Sequence, residues 1–203
     1  MSKRRHGGVL VLLVLFFIIL TLVFLAIRYR QRKPMQDLFG VTIPVTYRDS
    51  LSKYAEHYSV DPFLLAAIAH TESSFRADVI SSAGAVGLMQ IMPESEEWLL
   101  PLAGIEKQDL SDPDYSIQLG ACLLDYLLTH YQQNVVSATA AYNAGPGNVD
   151  FWLTKAKYSH DGINLIPEAI PFAETRQYVE RVLRTRDALQ QAYGGVFPSD
   201  QEP

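Results

Sequence analysis

Cysteine is almost missing from this 203-residue chain: Cys122 stands alone. That excludes an intramolecular disulfide and any zinc site assembled from several cysteines. The residue lies in the run 119–128, apolar but for Asp125, and reads as a buried, inert thiol. Cations are scarce too, once their distribution is considered. Seven of the seventeen Lys and Arg residues fall in residues 1–33, which hold no acid, so the rest of the chain sets ten basic against twenty-two acidic side chains, a net of −12. So acidic a domain is poorly suited to neutralising phosphates, and no nucleic-acid partner is expected. Sustained period-two alternation is also wanting, which removes the usual signature of half-buried strands.

Several catalytic signatures are absent. There is no H-E-x-x-H, no G-x-S-x-G and no Walker A sequence. His70-Thr71-Glu72 has the spacing of a zinc-deaminase H-x-E, but no C-x-x-C supplies the remaining ligands. His70 reads instead as a hydrogen-bonded helix residue.

A long hydrophobic run is present. From Val9 to Ile27 only Thr21 is polar, giving nineteen residues that as a helix span about 28 Å, close to a bilayer's hydrocarbon thickness. Cleavable signal peptides have shorter apolar cores followed by small residues. Here Ala26 is followed by Ile27, Arg28, Tyr29 and Arg30, so the run is expected to be an uncleaved transmembrane anchor. Lys3, Arg4 and Arg5 before it nearly balance Arg28, Arg30, Arg32 and Lys33 after it, and charge alone leaves the orientation open. The division expected is a short N-terminus (1–8), the anchor (9–27), a tether (28–46), a catalytic domain (47–193) and a flexible tail (194–203).

Past the tether the pattern is helical. Tyr47, Leu51, Tyr54, Ala55 and Tyr58 share one helical face. Asp61-Pro62 is a start signal: Asp caps, and Pro at the first position lacks only an N–H that would be unpaired anyway. The helix from Pro62 to about Ser73 is apolar almost all round and is expected at the centre of the domain. Met92-Pro93 opens a helix ending near Gly104, Ser111-Asp112-Pro113 opens one to about Tyr131, and Val135–Tyr142 forms another, closed by Asn143-Ala144-Gly145-Pro146. Asn148 is read as the cap of a helix holding Phe151, Trp152 and Leu153; residues 158–170 read as loop, and Pro171 opens the last long helix, to about Tyr193. The expectation is an all-α domain of seven or eight helices.

Glu72 draws attention on its own. It lies where the central helix runs out, against the negative end of the dipole, and apolar residues such as Leu88 and Met89 are expected to desolvate it. Both effects would raise its pKa and hold it protonated as a general acid. Position alone fits an exposed helix-terminal glutamate as well. The aromatics Tyr54, Tyr58, Tyr126 and Trp152 are core or groove lining, two roles that sequence does not separate.

Four motifs then occur in order: Glu72-Ser73-x-Phe75; Ser81-x-Ala83-Gly84-Ala85-x-Gly87-Leu88-Met89-Gln90-x-Met92-Pro93; Ala141-Tyr142-Asn143-Ala144-Gly145-Pro146-Gly147; and Ile170-Pro171-Phe172-x-Glu174-Thr175-Arg176-x-Tyr178-Val179. Together they resemble the catalytic domain of the soluble-lytic-transglycosylase (SLT) family, over roughly residues 45–190. The chain departs from that pattern at Ala77, Val79, Ser95, Glu96 and Ser116.

The resemblance implies a lysozyme-like, goose-type fold. It also implies cleavage of the β-1,4 bond between N-acetylmuramic acid and N-acetylglucosamine in peptidoglycan glycan strands without consuming water, leaving a 1,6-anhydro end. Glu72 would be acid, then base. Ser81 would hydrogen-bond the substrate, and Met89 and Gln90 would line the cleft. Tyr142 would orient the Glu72 carboxyl, and Tyr178 would reach the cleft from the last helix. Asn143 would shape the site or serve the helix end. Glu174 and Arg176 read as structural anchors, Glu168 as groove lining, and Gly84 and Gly87 as points of close backbone approach to sugar. No metal or organic cofactor is expected. The domain would face the cell wall or periplasm from the cytoplasmic membrane, N-terminus inside. The rivals are a hydrolytic muramidase, which would need water at C1 and usually a second carboxylate (Asp78 and Glu94 are near in sequence), and a wall-binding scaffold without catalysis.

Overall fold

Proline sets the start of four of the helices. In the computed structural model, which describes residues 45–197, the elements are α1 (Arg48–His57), α2 (Pro62–Ser73), α3 (Pro93–Ala103), α4 (Pro113–His130), α5 (Val135–Ala144), α6 (Pro146–Leu153) and α7 (Ala173–Ala192), with a 3-10 turn at Pro167–Ala169. Pro62, Pro93, Pro113 and Pro146 each occupy a first-turn position where the missing N–H costs nothing. Asp61, Asp112 and Asn134 cap α2, α4 and α5, accepting from the backbone N–H of Phe63, Tyr115 and Ser137 at 2.9, 2.9 and 2.7 Å. Among the described residues no strand forms; two isolated bridges, Ile80 with Val86 and Val86 with Ile91, lie between α2 and α3.

The central helix is α2. Phe63 through Ala69 are all buried, as its all-round apolar sequence requires. It packs along α7 and against α1 and α4. Asp61 does two jobs: Oδ1 caps α2, and Oδ2 accepts from Arg186 Nε of α7 at 2.7 Å. Leu65 and Ile68 are fully enclosed; truncating either to Ala would cost about 2–5 kcal/mol.

Two helix boundaries differ from the sequence reading. Asn148 does not cap α6, because Gly145 (φ 82°) makes the turn and the helix starts at Pro146; the Asn148 amide instead donates to the Ala144 carbonyl at the end of α5. The last helix begins at Ala173 rather than Pro171, since Phe172 is still extended (φ −79°, ψ 116°). The loop 158–170 carries the short 3-10 turn. The expected anchor (9–27), all but the last two residues of the tether (28–46) and the end of the tail lie outside the described residues. Among the described residues no helix is long and apolar enough to cross a membrane.

Candidate active site

Helix α2 ends in two consecutive left-handed residues, Ser74 (φ 53°) and Phe75 (φ 60°). They turn the chain sharply just after Glu72 and deliver it into a compact segment, residues 76–92. Within that segment Ser81 closes a small turn: its N–H donates to the Ala85 carbonyl (2.9 Å), and its hydroxyl accepts from the Ala85 N–H (3.0 Å). Val86 and Ile91 exchange backbone bonds in both directions at 3.0 Å. Gly87 (φ 81°) is required twice over, because a Cβ there would stand 2.0 Å from the Leu110 carbonyl oxygen.

Three helices hold the Leu88–Gln90 stretch in place. The Ser73 hydroxyl of α2 donates to the Leu88 carbonyl (2.8 Å), the Ser116 hydroxyl of α4 accepts from the Met89 N–H (3.1 Å), and the Tyr142 hydroxyl of α5 donates to the Met89 carbonyl (3.1 Å). Gln90, itself left-handed (φ 51°), donates through Nε2 to the carbonyls of Val79 (3.0 Å) and Gly87 (2.8 Å).

Beside this platform stands Glu72, half-buried at the end of α2. Its Oε1 accepts from the Tyr178 hydroxyl of α7 at 2.7 Å. Burial drives the carboxyl pKa up to about 7, opposed by the Tyr178 hydrogen bond and the nearby Arg181 charge. The same carboxylate, added to burial, pushes the Tyr142 and Tyr178 phenols well above their usual value. Glu72, Tyr142 and Tyr178 therefore form one electrostatically coupled cluster. The groups acting on Glu72 include no second acid; Asp78 and Glu94 are both exposed.

The geometry revises several expected contacts. Tyr142 does not orient the Glu72 carboxyl by its hydroxyl, which is spent on Met89; Tyr178 makes that bond. The Met89 side chain does not line a cleft: it is fully buried and packs against Gly120, where a Cβ would meet it at 2.6 Å. Gln90 turns its donor inward to tie the loop, leaving less for a sugar than its position suggests. The Asn143 side-chain Oδ1 accepts from Thr175 Oγ1 at 2.7 Å, tying α5 to the first turn of α7. Arg176 donates to the Ile170 carbonyl at 2.7 Å, anchoring the chain before α7, while Glu168 and Glu174 are exposed. Sequence reasoning did not single out the Ser73 and Ser116 hydroxyls or Arg181. The signal for the two serines was there: a hydroxyl in an apolar helix must find a buried partner. Among the described residues no group of three or more His, Cys, Asp or Glu side chains is placed to hold a metal ion.

Comparison with known proteins adds context. The family model of the Transglycosylase SLT domain matches residues 49–164. The soluble lytic murein transglycosylase of Escherichia coli K12 is 35% identical over 160 residues, covering 77% of this chain and 24% of that protein. The membrane-bound lytic murein transglycosylase C of Actinobacillus pleuropneumoniae is 29% identical over 163 residues, covering 70% of this chain and 45% of its own length. Among solved structures, a glutamate-to-glutamine inactive mutant of the lytic transglycosylase Slt from Pseudomonas aeruginosa superposes with a TM-score of 0.69 at 36% identity, covering 75% of this chain and 25% of that one. The chain thus spans about a quarter of the length of the soluble relatives it matches.

Proposed function

Because the chain belongs to the transglycosylase SLT domain family, we propose that it is a lytic transglycosylase of peptidoglycan, with Glu72 as its single acid and base. The observation that carries this reading is a half-buried carboxyl with a pKa of about 7, hydrogen-bonded by Tyr178 and, among the described residues, acted on by no second acid. Near neutral pH a large share of such a carboxyl is protonated. It gives its proton to the glycosidic oxygen as the bond from C1 of the muramic residue breaks, releasing the N-acetylglucosamine hydroxyl. The resulting carboxylate takes the proton of the muramic 6-hydroxyl, whose oxygen closes onto C1. No water enters, and Glu72 ends as it began. The acetamido group of the substrate stabilises the cationic centre in between, so one protein carboxyl suffices, in contrast to the paired acids of ordinary glycosidases.

Tyr178 serves the second half of the cycle. Its hydroxyl donates to Oε1, so the bond strengthens as the carboxylate forms. Tyr142 holds the Met89 carbonyl and with it the floor of the site. Ser81, Gln90 and Asn143 act through the shape of the loop and of the α5–α7 junction, and Met89 acts through its backbone. Residues 9–27 anchor the chain in the cytoplasmic membrane with the domain on the outer, wall-facing side; the membrane-bound relative supports an envelope location.

The experiment is digestion of purified sacculi by the wild type and by Glu72→Gln, with products separated by mass. Wild type is expected to give anhydro-muramic ends and Glu72→Gln none. Products heavier by one water would replace this reading with a hydrolytic one, and undiminished lysis by Glu72→Gln would remove Glu72 from the chemistry.

A further inference from the structure

A second concavity lies between the last turn of α2 and the middle of α7. It has a volume of about 350 Å³ and is lined by His70, Thr71, Ser74, Arg181, Arg184 and Thr185. Two arginines, a histidine and three hydroxyl-bearing residues line it, the Thr71 hydroxyl donating to the Ala67 carbonyl at 2.7 Å, and no acid is in its lining. That is unusual ground on a chain whose residues beyond 33 carry ten basic against twenty-two acidic side chains. A pocket of one sign on such a surface selects ligands of the opposite charge.

The arginines are available to a ligand. Among the described residues Arg184 pairs only with Glu180, at 3.0 Å and with both side chains largely exposed; such pairs are weak and readily exchanged. Arg181 makes no ion pair within 4.0 Å among the described residues, yet its charge reaches Glu72 and lowers that carboxyl's pKa. The pocket is therefore close to the reacting group. Thr71 immediately precedes Glu72, and Arg181 lies one turn along α7 from Tyr178, which bonds Glu72. Burial lowers the His70 pKa, so near neutral pH the cationic character comes mainly from the arginines.

We propose that this pocket receives a carboxylate of the peptide stem borne by the muramic residue under attack, making the enzyme selective for peptide-bearing over bare glycan. The inference rests on the reading of Glu72 as the acid acting on peptidoglycan. A guanidinium fork matches a carboxylate bidentately, and the Ser74 and Thr185 hydroxyls of the lining are the donors that complete the shell. Stem peptides carry free carboxylates and hang from the same sugar ring as the scissile bond, which puts them within reach of a site that begins at Thr71, beside Glu72, and continues along α7 from Arg181, one turn past Tyr178. Glycan stripped of its peptides keeps only the short lactyl carboxylate and serves as the control for unspecific charge attraction.

The test uses the full chain as wild type, Arg184→Gln, Arg184→Lys and Thr185→Val. Each digests intact sacculi and the same sacculi stripped of peptides by an amidase, and anhydro ends are counted by mass. Arg184 is preferred to Arg181 because the Arg181 charge also acts on Glu72 and would move the pH profile on both substrates. The ratio of kcat/KM for peptide-bearing to stripped glycan is expected to fall about tenfold in Arg184→Gln, the worth of one hydrogen bond to a charged group. The change should lie mainly in KM, be partly restored in Arg184→Lys and be smaller in Thr185→Val. An equal loss on both substrates, or an unchanged ratio, overturns the assignment of the pocket while leaving the active site standing. If wild type yields no anhydro ends from either substrate, the reading of Glu72 itself falls, and this inference with it.

Discussion

The Tyr178 phenol donates to Glu72 across 2.7 Å, and the direction of that bond decides which protonation state it favours. It stabilises the carboxylate and partly offsets the burial that raises the pKa to about 7. Tyr178→Phe should therefore push the Glu72 pKa higher, shifting the pH–rate limb alkaline. It should also slow turnover by about 10–100-fold, the loss of a hydrogen bond to a charged group. A pH profile of anhydro-product formation checks both. Stability should move the other way at the acid itself. Unfolded, Glu72 loses its proton near 4.5; folded, it keeps it to about 7. Folding is unpenalised below 4.5 and loses stability as pH rises through that window. Glu72→Gln should then match wild type at pH 4 but be more stable at pH 8 by about 1–3 kcal/mol, after allowance for partial solvent screening. Thermal melts at the two pH values read this directly. The acid was legible in the sequence because its helix end and its Glu72-Ser73-x-Phe75 motif are both local. Which phenol reaches it was not: Tyr142 and Tyr178 lie on α5 and α7, and the Tyr178 bond closes over a separation of 106 residues. Only the packing of α7 on α2, and of α5 on α7, settles that.

The segment between α2 and α3 has almost no repetitive structure of its own, so its shape comes from hydroxyls on its neighbours. Ser116, fully buried, satisfies the Met89 N–H. Ser116→Ala would leave that donor unpaired, costing about 1–3 kcal/mol, and should lower activity by loosening the platform beside Glu72; denaturant unfolding alongside the digestion assay separates the two effects. Gly87→Ala is harsher, since its Cβ would lie 2.0 Å from backbone oxygen at a left-handed φ. A loss of about 3 kcal/mol or more, or failure to accumulate folded protein, is the expected result. The helices themselves could be read in order from proline, aspartate and glycine signals, which act through backbone chemistry within a few residues. Met89 and Gln90 were harder. Their motif marks them as important, but the Met89 thioether packs on Gly120 and the Gln90 amide ties Val79 to Gly87. Motif position says that a residue matters without saying whether it faces ligand or loop.

Among the described residues one continuous core runs from Val45 through α1 to Leu189 of α7, and the Asp61–Arg186 pair at 2.7 Å ties the start of α2 to α7. Removing residues 1–44 should therefore leave a domain that unfolds in a single cooperative transition and still releases anhydro ends from isolated sacculi. The shortened protein should no longer sediment with membranes, whereas the full chain should. Retention of membrane binding would refute the anchor assigned to residues 9–27. The described hydrogen bonds on the platform run inward, from Ser73, Ser116, Tyr142 and the Gln90 amide. Ile80, 71% exposed, and the exposed Ser82 and Ala83 lie on its outer rim. Neutral drift can rewrite that rim without detuning the acid, so lineages built on this core are free to diverge in what they grip long before they diverge in what they cut.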